Sequence, residues 1–153
     1  MRTLLLIIGT LLSTTSLRAQ TAEDSVRAAV ASLFTAMRQA DAQTLTSLFH
    51  DSARLGTVTQ DASGHTSHRS SPIAGFIAYV GQLSPGVADE RARVERVLID
   101  GSLALAWTPY QFYVQGSFSH CGVNLIQLVR SGAQWRILAI TDTRRKTPCP
   151  DIF

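Results

Sequence analysis

Residues 118–130, FSHCGVNLIQLVR, alternate like a β-strand, yet His120, Cys121 and Asn124 stand where a plain core strand would carry valine. An unperturbed imidazole titrates near neutral pH, so His120 is the candidate general acid or base. Asn124, or Tyr113 on the preceding strand, could donate to a developing oxyanion. Cys121 has one possible partner, Cys149, the only other cysteine. A zinc site would need further ligands, and no close histidine pair accompanies either cysteine. His65 and His68 form the only near pair; they fall in a Ser/Gly-rich stretch and read as solvated. His50 could reach a pocket mouth, or could help end a helix, where a cation is favoured. There is no phosphate loop, nucleophile elbow or metal-ligand spacing, so no cofactor and no metal are expected.

These side chains need elements to position them. Val26, Val30, Leu33, Phe34 and Met37 form one apolar stripe at spacings of three and four, the mark of an amphipathic helix with Thr21 as its cap. The helix breaks at Ala40 and Asp41, and a shorter one follows with Leu45, Leu48 and Phe49. Residues 53–60 read as a short strand and residues 61–72 as turn-rich. Pro72 suits the first turn of a third helix running to about Leu83. Beyond it the pattern turns to β. Residues 89–99 read as one strand, Asp100-Gly101 as a hairpin turn, and residues 103–114 as a strand interrupted by Pro109; the strands containing His120 and Trp135 follow. Helices first and then an antiparallel meander define an α+β domain with its helices on one face of the sheet.

Hairpin pairing then sorts side chains by face. If residues 131–134 close the last hairpin, Arg130 pairs with Trp135 and Asn124 lies opposite Thr141. If residues 115–117 close the one before, Tyr113 pairs near Phe118, and Gln111 and Trp107 face His120 and Asn124. One face then gathers Trp107, Gln111, Tyr113, His120, Asn124 and Thr141; the other gathers Thr108, Tyr110, Phe112, Val123, Leu125 and Asp142. A bulge at Pro109 would mix the two sets. Aromatic rings beside a few convergent polar groups suit a small-molecule pocket. Two plainer readings compete: the polar groups see water at the sheet's end, or the face is a dimer interface, where Trp and Tyr are also common. Asp142 inside an otherwise apolar strand needs a partner, with Thr108 or Arg93 as candidates and Arg144 on its own face. A structural ion pair is the favoured reading of it over a ligand-facing carboxylate. In this register Cys121 lies opposite Arg144, and the turn at Thr147-Pro148 returns Cys149 within bridging distance.

The N-terminus has one positive charge, an apolar run over positions 4–12, small and polar residues, and Ala19, the layout of a secretory signal peptide cut between Ala19 and Gln20. The run is too short to span a bilayer. Residues 20–153 then form a single domain in the periplasm or outside the cell, with no membrane attachment, and an oxidising compartment favours the disulfide. The net charge of +3 falls to +1 once Arg2 and Arg18 leave with the leader, so a nucleic-acid partner is not indicated. With 45% hydrophobic and 16% charged residues the chain can build a core.

Residues 26–55, 94–114 and 121–145 resemble the NTF2-like superfamily, most of all the small secreted bacterial members grouped as SnoaL-like or putative lumazine-binding. The resemblance implies a cone, a curved and mostly antiparallel sheet wrapped around N-terminal helices with an apolar pocket between, and homodimers paired through the sheet's outer face. It also implies a test: the catalytic base of the family's ketosteroid isomerases would fall near Thr57, and threonine is no general base at neutral pH, while the nearby Asp51 precedes the strand. Three functions follow: a secreted binder of a small, partly apolar ligand; a lyase, isomerase or hydrolase acting through His120; or a dimeric interaction module.

Overall fold

The computed structural model describes residues 14–152, with side chains from residue 22 onward; the apolar run at positions 4–12 lies outside them. Helix α1 (Thr14–Gln39) buries the expected stripe of Val26, Val30, Leu33, Phe34 and Met37. The chain is already helical at Thr14, so Thr21 lies within α1 and does not cap it. The helix stops at Ala40, which takes a left-handed φ of 56°, and the amide of Asp41 turns back to the Ala36 carbonyl at 2.9 Å. Asp41 then caps α2 (Ala42–Leu48) by accepting from the Thr44 amide. Next come β1 (Phe49–Gln60), β2 (Thr66–Pro72) and α3 (Ile73–Val80). The meander is β3 (Ala88–Ala92), β4 (Arg96–Asp100), β5 (Leu103–Val114), β6 (Ser117–Ser131) and β7 (Gln134–Arg144).

The seven strands form one sheet in the order β2-β1-β7-β6-β5-β3, with β4 also paired to β5. Every pairing is antiparallel except β1 with β7. Three helices pack on one face of this curved sheet, the architecture the sequence implied. Their stripes meet Ala104, Ala106, Ile126, Leu128, Ile137 and Ile140 in one core. Among the described residues no helix is long and apolar enough to cross a membrane.

Phe49, expected in the second helix, opens strand β1, which begins four residues before the expected position 53. Three other elements also differ from expectation. The turn-rich stretch holds strand β2, an edge strand with every residue exposed, which lacks the apolar alternation that marks a strand. The single strand expected over residues 89–99 is two, broken at residues 93–95, although the amides of Arg93 and Glu95 still bond the carbonyls of Pro109 and Trp107. Helix α3 ends at Val80, three residues early.

The register carries the larger correction. Arg130 pairs with Trp135 and Tyr113 with Phe118, as expected. Between those anchors each hairpin holds one extra residue. Ser119 is unpaired in β6, so His120 faces Phe112; Leu138 is unpaired in β7, so Asn124 faces Asp142. A one-residue slip turns a strand over. Pro109 itself pairs in unbroken register with Val123.

Candidate functional site

A cavity of about 490 Å³ lies between the helices and the concave sheet face, within the roughly 300–1,000 Å³ of small-molecule sites. Its helical wall is apolar: Leu33, Phe34 and Met37 from α1, Phe76, Tyr79 and Val80 from α3. Its sheet wall carries Glu90, Tyr110, Phe112, His120, Asn124, Asp142 and Arg144. Of the residues expected to share one face, His120 and Asn124 reach the cavity. Trp107, Gln111, Tyr113 and Thr141 do not line it, because the bulges at Ser119 and Leu138 place them on the convex face. In their stead the cavity receives Tyr110, Phe112 and Asp142 from the opposite set.

Asp142 is the hub of the wall. A buried carboxylate costs several kcal/mol unless hydrogen bonds replace its water. Asp142 accepts three: from Thr57 Oγ1 at 2.6 Å, from Arg144 Nε at 2.7 Å and from Tyr110 Oη at 3.0 Å. Neither expected partner is used. Arg93 bonds Glu95 and the Asp151 carbonyl, and Thr108 Oγ1 is buried without a partner among the described residues. Thr57, at the place the resemblance assigns to a base, is a donor that orients Asp142.

Tyr110 reaches Asp142 because its cross-strand neighbour is Gly122. A Cβ on Gly122 would sit 1.8 Å from the Thr143 carbonyl oxygen, to which Tyr110 Oη also donates at 3.0 Å. Burial raises the Tyr110 pKa above the ordinary phenol range, and Asp142 and Glu90 raise it further, so the hydroxyl stays a donor.

Glu90 reaches from β3 across β5 and accepts from Asn124 Nδ2 at 2.7 Å. Burial pushes its pKa from an ordinary 4.5 to about 7; the Asn124 bond opposes this, the Asp142 charge adds to it and Arg144 opposes it. Glu90 thus changes charge in the physiological range, in a pocket where a proton donor or acceptor could act. Glu90 takes Asn124 and not His120 as its partner, and Glu95 takes Arg93.

His120 sits edge-on to Tyr110, with ring centroids 5.7 Å apart, and tilted on Phe112 at 5.1 Å. Its Nδ1 shares a hydrogen bond with Ser119 Oγ at 3.0 Å. Burial lowers its pKa, Arg144 and Lys146 lower it further, and Asp142 opposes them. No carboxylate among the described residues hydrogen-bonds this ring to orient it.

On the convex face Trp107 is 46% exposed and lines a shallow groove with Leu98, Leu105 and Leu125. Tyr113 lies under Arg91, whose guanidinium carbon is 4.2 Å from the ring centroid, and donates to Gln111 Oε1. Gln111 Nε2 donates to the Pro150 carbonyl, holding the C-terminal segment that the Cys121–Cys149 disulfide pins beside it. His50 does not line the cavity, and His65 and His68 are exposed.

Three helices over a curved sheet with a lined hollow between them define the NTF2-like class of fold. An NTF2-like protein of unknown function from Shewanella baltica superposes with a TM-score of 0.65 at 14% identity, covering 88% of this chain and 100% of its own. An NTF2-like protein with a cystatin-like fold from Novosphingobium aromaticivorans gives 0.65 at 18% identity, covering 89% and 92%. The β subunit of a putative aromatic-ring-hydroxylating dioxygenase from the same species gives 0.64 at 16%, covering 86% and 94%. Within that class, the family model described as putative lumazine-binding matches residues 21–141, and the chain belongs to that family. No curated protein matches it. At these identities the superpositions speak for the fold alone.

Proposed function

We propose that the protein is exported and holds a small, partly apolar ligand in the cavity between its helices and its sheet. The observation that carries this reading is the composition of the hollow: one wall apolar, the other a set of polar side chains already bonded to one another. Such a site is preorganised, so a ligand need not order it on binding. The family label names lumazine; a lumazine or flavin-like guest is one member of the class that would fit. Native mass spectrometry of the exported protein tests the reading. A co-purifying small molecule is expected; a folded protein without an adduct that also fails to bind N-phenyl-1-naphthylamine would sink it.

Export rests on the charged and apolar N-terminal pattern and is supported by the disulfide. Recovered protein should begin at Gln20, read by N-terminal sequencing. A homodimer through the convex face is part of the proposal, supported by the exposed Leu98, Leu103 and Trp107 there. Light scattering should give twice the chain mass, and Trp107→Arg should return it to the monomer.

Catalysis of the lyase, isomerase or hydrolase type is a second reading, favoured by Glu90, whose pKa of about 7 suits proton transfer better than the depressed pKa of His120. Its test is exchange of solvent deuterium into whatever compound co-purifies, expected with the natural chain and lost in Glu90→Gln.

A further inference from the structure

One charged group on the cavity wall has bonding capacity left over. Arg144 lines the cavity with its side chain 43% exposed, and Asp142 holds it through Nε alone. Among the described residues its two Nη groups donate no hydrogen bond. A guanidinium fixed at Nε presents its outer N–H groups in a plane suited to two oxygens of a carboxylate, sulfonate or phosphate. A second cation stands at the same end: Lys146 Nζ donates to the carbonyl of Ser119, the bulged residue beside His120. Beyond the effect of burial, Arg144 and Lys146 both lower the His120 pKa while Asp142 opposes them, so both cations stand close enough to act on a group at this end of the cavity.

Resting on the ligand-binding reading above, we infer that the cavity selects small amphipathic anions, with the apolar body against α1 and α3 and the anionic head on Arg144 beside His120. Among the described residues, Tyr79 is the only titratable side chain that α1 and α3 bring to the cavity; the remainder of their lining is Leu33, Phe34, Met37, Phe76 and Val80. The titratable and charged groups facing the head are therefore Glu90 from β3, Tyr110 from β5, His120 from β6, Asp142 and Arg144 from β7, and Lys146 beyond it. Tyr110 stays protonated, and Asp142 is neutralised by Arg144. Glu90 is the one group whose charge opposes an incoming anion and changes near neutrality. An anion on Arg144 screens that cation from Glu90 and adds a negative charge of its own, and both effects favour protonated Glu90. Anion binding should thus take up a proton at Glu90, and affinity should be full below about pH 7 and fall above it.

A matched pair of fluorescent probes tests this: anionic 1-anilinonaphthalene-8-sulfonate and neutral N-phenyl-1-naphthylamine, which share one aromatic body. The natural chain should bind the sulfonate more tightly than the neutral probe at about pH 6.5. Arg144→Gln should weaken the sulfonate about tenfold and the neutral probe much less, the difference being the loss of one half-exposed charge-assisted contact. From about pH 6.5 to about pH 8 the sulfonate's affinity should fall about fourfold, if binding lifts the Glu90 pKa by about one unit, and Glu90→Gln should flatten that fall. Neutral-probe binding with no preference for the sulfonate, or no effect of Arg144→Gln, overturns anion selection while ligand binding stands. Failure of both probes to bind the folded chain overturns both. Should Arg144→Gln not fold, the pH profiles decide: a sulfonate affinity that is flat with pH, or equally steep in Glu90→Gln, refutes the inference.

Discussion

Glu90→Gln replaces a half-buried carboxyl on the cavity wall with an amide of the same shape that can still accept from Asn124, and its effect on stability can be worked out in sign and size. The carboxyl has a pKa of about 7 in the folded chain against an ordinary 4.5. The folded state therefore holds the proton over a range in which the unfolded chain has lost it. Stability from this group is complete below about pH 4.5, declines through the interval, and levels off above about pH 7. A gap of about 2.5 units at about 1.36 kcal/mol per unit gives roughly 3 kcal/mol as the whole cost of ionising Glu90. Glutamine never ionises, so the variant should match the natural chain near pH 4.5 and exceed it by about 2–3 kcal/mol near pH 8. For a domain of this size that is a rise of about 10 °C in Tm. Thermal unfolding followed by circular dichroism, with the disulfide intact, reads it. The difference between the two proteins at each pH cancels the titration of carboxylates that do not interact with Glu90, so its shape reports Glu90 and its coupling to Asp142. A difference independent of pH, or a variant less stable than the natural chain at pH 8, would refute the assignment of a desolvated carboxyl at this position.

Three other perturbations probe the same wall and its support. Gly122→Ala puts a methyl into the Thr143 carbonyl and must part β6 from β7, a loss of about 3 kcal/mol by urea titration; a neutral result would mean the strands do not approach so closely. Tyr110→Phe removes a donor shared by Asp142 and the Thr143 carbonyl and should cost about 1–3 kcal/mol, with no change in far-ultraviolet circular dichroism. Cys149→Ser opens a loop of 28 residues, which chain entropy values at about 3–4 kcal/mol. Its loss should also free residues 147–152, seen as faster amide exchange there than in β6; an unchanged midpoint and exchange pattern would leave the bridge without a structural role.

Helices and turns were legible in the sequence because their signals are local. The stripe from Val26 to Met37, the break at Ala40 and the Asp100-Gly101 turn each need only a few neighbouring residues. Faces of the sheet were not legible, because a face depends on every pairing between two turns. Strand β5 shows why. Its concave positions include Ala104, Ala106 and Thr108, all fully buried, while Leu103 and Trp107 stand exposed on the convex side. Small side chains fill the inward positions there and large apolar ones face outward, so hydrophobicity points the wrong way and Trp107 looks like a pocket wall.

One clue to the true register was present in β7. The large apolar residues Trp135 and Ile137 fall at odd positions, and Ile140 at an even one. A period of two that changes phase between positions 137 and 140 requires an extra residue, and Leu138 is that residue. Taken seriously, the phase change alone puts Asp142 on the core side of the sheet, opposite Asn124. An inward aspartate there needs donors, and the antiparallel hairpins and the parallel β1–β7 pair supply Tyr110, Thr57 and Arg144. Ser119 gave no such clue, since nothing near it alternates strongly enough to show a slip. The bulge at Ser119 brings His120 inward, and the bulge at Leu138 brings Asp142 in beside it. The polar wall of the cavity is thus the joint product of two irregularities, each of which costs a ladder hydrogen bond that a plain hairpin would have kept.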